Sequence, residues 1–283
     1  MKLSIGTAQF GLNYGICNNE GIVKENDVKK IFNFCKLNKI KFIDTAQGYG
    51  KSHNVIGSLN LKNFKIITKI SEINYTVNSD LEKSLILQIN KILKELKVNK
   101  VYGLLIHNSK LLKGESGKQI YEILNKIKGK KFLKLGVSVY SKKELNYLLK
   151  KFDIDIVNIP LSIANDDFNQ KNYLSKLKKA GIEIHVRSIF LQGLLLSDYK
   201  NLPLKFRKNK FFLDWFKWLK KNNYNKLDVS LNFIKNIENI DKIIIGIDNF
   251  NQLKDIVISY KKNFKFKFKK FNQYKIFKDP SRW

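Results

Sequence analysis

The sequence predicts a single (β/α)8 barrel, and three observations carry that reading. Eight short apolar runs rich in Ile, Val, Leu and Phe recur along the 283 residues, at 2–7, 41–45, 64–69, 101–107, 132–139, 154–161, 182–190 and 242–247. Stretches of helical periodicity separate most of them. No Pro/Gly/Ser-rich linker and no charge block divides the chain, so residues 1–283 read as one domain. The tail 262–283 is expected to pack on the barrel or to extend from it.

The apolar runs are nearly continuous rather than alternating, as a parallel sheet buried on both faces requires. Among the helices, Val28, Ile31, Phe32 and Cys35 repeat at i, i+3, i+4 and i+7. Leu81, Leu85, Ile89, Ile92, Leu93 and Leu96 form a longer stripe that opens with Ser79-x-x-Glu82, a capping-box pattern. Ser116-x-x-Gln119 and Ser141-x-x-Glu144 open the next two helices in the same way, the latter presenting Leu145, Leu148, Leu149 and Phe152. The link after the second strand (47–63) is short and irregular. The link after the seventh (191–241) is long and is predicted to hold an extra helix near 211–221. A doubly wound open sheet fits less well, because no G-x-G-x-x-G follows an early strand. The segment Phe264-Lys-Phe-Lys-Phe reads as an amphipathic edge or packed tail.

A hydrophobic fraction of 43% and a mean hydropathy of -0.30 suit a globular chain. No apolar run reaches 18 residues, and the first residues lack a secretory apolar segment, so no membrane role is expected. Two cysteines, Cys17 and Cys35, make neither a disulfide framework nor a metal site alone, which points to a reducing cytoplasm and no metal. The net charge of +30 comes almost wholly from lysine; the arginines are Arg187, Arg207 and Arg282. A nucleic-acid surface clusters Arg with aromatics on one face. Here Lys is spread over nearly every predicted helix, which reads as a solvated, compositionally biased surface with no nucleic-acid partner. Such a field still attracts anionic ligands. The sequence assigns no oligomeric state.

In an α/β barrel the working residues sit where strands end, on the C-terminal face. Asp44 ends the second run (FIDTA), Lys69 the third (KIITK) and His107 the fourth (LLIH). Tyr49 follows in the loop Gly48-Tyr49-Gly50. Taken singly, each has an ordinary role as cap, solvated charge, core imidazole or packing ring. Together, three consecutive strand ends bring an acid, an amine and an imidazole to one rim beside a phenol. A free phenol has a pKa of about 10, and a nearby ammonium is expected to lower it. Asp44–Lys69–Tyr49 then forms a proton relay to a carbonyl oxygen, with His107 orienting that carbonyl. The missing reagent is a hydride, which a nicotinamide supplies.

These residues resemble the aldo-keto reductase family: LSIGTAQFG, FIDTAQGYGKS, IITK, LLIH, GVSVYS and IIIG recur in its order and spacing. The resemblance implies a catalytic tetrad of Asp44, Tyr49, Lys69 and His107, a small carbonyl substrate, and NADPH, less often NADH, lying extended on the C-terminal face. It also implies cofactor contacts from Gly6, Thr7, Ser138, Asn158, Arg187, Ser188, Gly193, Gly246, Asp248 and Gln252. Four positions depart from the family pattern, among them Asn158, which stands where Gln is common. Val139 stands where an Asn is usual. Arg187 replaces an aromatic and can stack on a ring or contact a phosphate or acidic substrate. Asp248 lies where a 2′-phosphate partner is expected, and would repel that phosphate if it pointed inward. GTAQFGLNYGI, RSIFLQGLL and the ending DPSRW are similar to a branch found with bacterial surface-polysaccharide genes, which implies a sugar or nucleotide-sugar substrate.

Two other readings stay open at this level: a barrel aldolase or isomerase using Lys69 as a Schiff-base amine, and a non-catalytic cofactor-binding protein. The pocket is expected from loops 8–24, 70–77 and 191–210, with Phe10, Tyr14, Phe190 and Trp215 as candidate wall residues.

Overall fold

A computed structural model describes residues 1–73, 80–262, 264–271, 274–279 and 283. In chain order its strands and helices are β1 (Leu3–Gly6), α1 (Glu25–Leu37), β2 (Phe42–Asp44), α2 (Ser52–Gly57), β3 (Lys65–Ile70), α3 (Leu81–Leu96), β4 (Val101–Ile106), α4 (Gly114–Ile127), β5 (Phe132–Ser138), α5 (Lys142–Leu149), β6 (Ile156–Pro160), α6 (Tyr173–Lys179), β7 (Glu183–Arg187), α7 (Leu204–Arg207), α8 (Lys210–Asn222), α9 (Lys226–Lys235), β8 (Lys242–Gly246) and α10 (Phe250–Lys261). The eight strands pair in parallel in sequence order, and β8 closes on β1. All eight apolar runs become strands, and the molecule is the single (β/α)8 barrel that the sequence predicts.

The strands end earlier than the runs where the backbone must turn. The seventh run stops at Arg187 because Ser188, Leu191, Gln192 and Gly193 all take positive φ (60°, 49°, 54° and 89°), which no extended ladder allows. The long link after β7 holds α8 over the span expected for an extra helix.

Helix faces follow their periodicity. Val28, Ile31, Phe32 and Cys35 on α1, and Leu85, Ile89, Ile92, Leu93 and Leu96 on α3, are buried. Caps follow the sequence less closely. Ser141 caps α5, its Oγ accepting from the Glu144 N–H at 3.2 Å. Ser116 does not cap α4, which already begins at Gly114 and so encloses Ser116 in its first turn. Ser79 lies outside the described residues; Asp80 caps α3 by accepting from the Lys83 N–H.

Strand alternation explains how the barrel interior is built. Phe42, Ile67, Leu105 and Ile156 face inward and pack together as an apolar plug. Two residues further along the same strands come Asp44, Lys69, His107 and Asn158. The next layer toward the C-terminal face is therefore polar, and it rests on a plug that keeps water out from below.

Behind the barrel, Phe271 and Phe277 are buried against Phe211 of α8, each at a ring-centroid distance of 5.2 Å. In the segment before them, Phe264 and Phe266 meet Tyr224 while Lys265 and Lys267 are exposed. Phe10 and Trp215, expected in the pocket wall, are core instead. Phe10 packs on Phe32, and Trp215 lies between Trp218 and Phe271.

The Tyr49 loop is held by a close backbone approach. A Cβ on Gly11 would lie 2.0 Å from the Tyr49 carbonyl oxygen and 2.4 Å from the Ser52 amide. Gly11→Ala is therefore expected to cost about 1–3 kcal/mol, the range for overpacking, and to displace Tyr49. Thermal denaturation and near-ultraviolet dichroism check this; an unchanged melting curve would contradict the approach.

Candidate active site

Four strands deliver the polar layer: β2, β3, β4 and β6. Lys69 and Asp44 are 1% and 3% exposed, and the Lys69 ammonium donates to Asp44 Oδ1 at 2.5 Å and to the Thr45 carbonyl at 3.0 Å. The other Asp44 oxygen accepts from Asn158 Nδ2 at 3.3 Å. Lys69 Nζ stands 5.3 Å from the centre of the half-buried Tyr49 ring. That ring meets His107 edge to face, with centroids 5.9 Å apart and planes at 85°. The four residues are thus one cluster.

Burial sets the protonation behaviour. It pushes the Tyr49 phenol up, Asp44 adds to the rise, and the Arg187 guanidinium opposes it. This corrects the expectation of a lowered phenol: desolvation of the phenolate outweighs the neighbouring cations. Tyr49 is a protonated phenol across the neutral range. Burial also pulls the Lys69 ammonium down, and the carboxylate at its side works against that pull. His107 is pushed down to about 3 by burial, then by Lys69 and Arg187, so its imidazole is neutral. His107 Nδ1 bonds to Ser71 Oγ at 3.0 Å, which leaves the other ring nitrogen for a ligand.

A cavity of about 850 Å³ opens above this cluster and reaches Asp44, Tyr49 and His107. Gly6, Thr7, Arg187, Ser188, Gly193, Gly246, Asp248 and Gln252 line it, as do Tyr14 and Phe190. Lys69, Ser138 and Asn158 stand behind its wall, 1%, 2% and 0% exposed. Asn158 Oδ1 is buried without a hydrogen-bond partner among the described residues. Val139, where an Asn was expected, is a buried core residue whose carbonyl accepts from Arg187. Asp248 points inward as part of the cavity wall, and Gln252 Nε2 donates to it at 3.2 Å.

Sequence reasoning missed Gln9, Tyr140 and Trp283, which also line the cavity. Tyr140 was within reach, as the residue that follows the strand end in GVSVYS. Trp283 carried no signal, because its position depends on how the tail returns past α7 to set its ring against Phe206.

Residues 2–277 match the model of the Aldo/keto reductase family. The chain belongs to the aldo/keto reductase family. It is therefore an oxidoreductase by descent, on the barrel already described. No curated protein sequence matches it. Among solved structures, it is similar to the holo form of an aldo-keto reductase from Bacillus halodurans, at 14% identity and a TM-score of 0.71 over 93% of this chain and 87% of that one. It is also similar to a glycerol dehydrogenase from Gluconobacter oxydans, at 18% identity and a TM-score of 0.66 over 93% and 88%. At such identities the likeness speaks for the fold.

Two imidazoles, buried His53 and half-buried His107, make stability depend on pH. His53, held between Glu95 and Thr68, is also pushed down by burial. The unfolded chain protonates both below about pH 6.5, whereas folded His107 resists until about 3. The unfolded state then binds more protons in that window, so stability falls as pH falls from about 6.5 toward 3. His107→Asn should flatten this slope in denaturant titrations run at several pH values; an unchanged slope would contradict a His107 held neutral in the folded protein.

Proposed function

We propose that this aldo/keto reductase family member reduces an aldehyde or ketone to an alcohol with NADH or NADPH, Tyr49 serving as the general acid. The observation that carries the reading is the buried Lys69–Asp44 pair set under the Tyr49 ring, with neutral His107 beside it and the cavity above. A nicotinamide, when bound, supplies the hydride. The residues present fit such a group. The cavity lies in the upper part of the usual range for ligand sites, about 300–1,000 Å³. By the resemblance, Gly246 at the end of β8 and Gln252 in the first turn of α10 match positions that hold phosphates and adenosine, and a helix N-terminus favours an anion.

The chain's own residues account for the proton. As the carbonyl oxygen gains negative charge it becomes far more basic than a phenolate, and Tyr49 gives up its proton to it. Lys69 then lies close enough to stabilise the phenolate left behind, and Asp44 keeps that ammonium charged and in place. His107, being neutral, donates one hydrogen bond to the same oxygen and orients it. The Schiff-base alternative loses support, because Lys69 is enclosed by Asp44 and Thr45 and does not reach the cavity. The substrate reads as a hydroxylated carbonyl compound. The likeness to the polysaccharide-associated branch suggests a sugar or nucleotide-sugar, and a glycerol dehydrogenase among the structural neighbours agrees with a polyol-like partner. We place the reaction in the reducing cytoplasm, in keeping with the free Cys17 and Cys35.

Tyr49→Phe removes the acid and little volume. Turnover should fall by more than ~100-fold with nicotinamide affinity nearly unchanged; full turnover would show that the acid lies elsewhere. The inward Asp248 bears on the choice of dinucleotide, because a carboxylate at the adenosine end repels a 2′-phosphate. NADH should therefore bind more tightly than NADPH, and Asp248→Asn should narrow the gap, as read by fluorescence titration. Tighter NADPH binding by the unaltered protein would contradict this role.

A further inference from the structure

Among the described residues that line the cavity, two carry a permanent positive charge, Lys226 and Arg187. Lys226 is already answered: its ammonium donates to Asp198 Oδ1 at 2.7 Å and to the Ser197 carbonyl at 3.1 Å. Arg187 is not. Its guanidinium carbon lies over the Tyr140 ring, 4.2 Å from the centroid, and the group donates to the Val139 carbonyl at 3.3 Å and to Ser188 Oγ at 3.4 Å. It forms no salt bridge with any described carboxylate. The acid held in the polar layer, Asp44, is committed to Lys69 and Asn158.

A half-buried guanidinium without a counter-ion is an unusual thing to keep in a concave wall. Its charge is felt by the catalytic groups: it works against the raised phenol of Tyr49 and helps to lower His107. Two weak bonds to neutral oxygens leave most of its five N–H donors unused. The contact with the Tyr140 ring and the two hydrogen bonds anchor the guanidinium in the wall, so its remaining donors are held in place rather than carried on a mobile side chain. Arg187 ends β7, across the barrel from β3, which carries Lys69. An anion held there would stand beside the reacting carbonyl.

Resting on the carbonyl-reductase reading, we infer that Arg187 binds an anionic group, a carboxylate or a phosphate, carried by the substrate near the carbon that is reduced. The residue thereby selects acidic carbonyl compounds over neutral ones of the same size. Two other uses of the charge are separable by experiment, namely holding the dinucleotide's own phosphates and stabilising the oxyanion of every substrate.

The test pairs probes that differ in the anion. One pair is succinic semialdehyde and butanal, for a carboxylate; the other is glyceraldehyde 3-phosphate and glyceraldehyde, for a phosphate. The whole protein should favour the anionic member of at least one pair by about tenfold or more in kcat/KM, the scale of a charge-assisted bidentate contact. The pair that shows the preference identifies the anion. Arg187→Gln should collapse that ratio toward one, chiefly through KM, and Arg187→Lys should restore part of it. No preference in either pair, or a ratio unmoved by Arg187→Gln, would overturn the inference. Equal losses for both members would assign the charge to the oxyanion, and weakened NADH binding with an unmoved ratio would assign it to the dinucleotide; each overturns it. A turnover-free arm keeps the two readings apart. Calorimetric titration of the protein with succinic semialdehyde and, separately, with glyceraldehyde 3-phosphate should show binding of at least one that Arg187→Gln weakens about tenfold or more. That result would stand even if the protein bound no nicotinamide, which would defeat the reductase reading alone; equal binding by both proteins would overturn the anion site.

Discussion

The site depends on one buried interaction, the Lys69–Asp44 ion pair at 2.5 Å. Both partners are almost fully shielded from water, and removing one would strand the other at a cost of about 3–5 kcal/mol. The pair is tolerable because each partner makes a further hydrogen bond: the ammonium also donates to Thr45, and the carboxylate also accepts from Asn158. Its position follows from strand alternation. Phe42 and Ile67 belong to the plug, so Asp44 and Lys69, each two residues further along neighbouring strands, lie above it; in the ladder Asp44 is paired with Ile67. The apolar plug makes the layer dry, and dryness makes the ammonium effective on Tyr49. The same dryness drives His107 to its neutral form, so a single environment shapes each member of the cluster.

Much of this was legible in the chain. Strand ends are fixed by an apolar run that stops, and FID, KIITK and LLIH each stop on a polar residue of a different type. Period two then places those residues on the inner face without knowledge of any contact. The sense of the Tyr49 shift was not legible, because it depends on how much water the closed barrel removes rather than on which charges lie nearby. Wall residues were legible only in part. Tyr14 and Phe190 line the cavity, whereas Phe10 and Trp215 joined the core, since an aromatic in a loop can turn either way and only packing decides. Trp283 was beyond local patterns altogether, being placed by contacts with residues far away in the sequence.

Charge acts at two scales. Over the surface, the +30 excess is lysine spread across many helices, with acids answering only some of them. A field of this kind draws anions toward the molecule without selecting among them. Within the cavity the arrangement is specific: Arg187 and Asp248 both face the interior, on the walls contributed by β7 and by the turn after β8. A general attraction outside thus meets a discriminating pattern inside. On the resemblance, both residues depart from the family pattern, while the Asp44–Lys69–Tyr49–His107 cluster beneath them keeps the residue types that the resemblance implies.

The central claim is that the cluster exists to complete a hydride transfer to a carbonyl carbon. The most direct measurement is isotopic. NADH carrying deuterium on one face of C4, and in a second experiment on the other, is incubated with the protein and an aldehyde, and the alcohol is read by mass spectrometry and proton NMR. The account predicts one deuterium on the former carbonyl carbon from one labelled face and none from the other, with the hydroxyl proton coming from solvent. Alcohol without label from either face, or label lost to water, would contradict it.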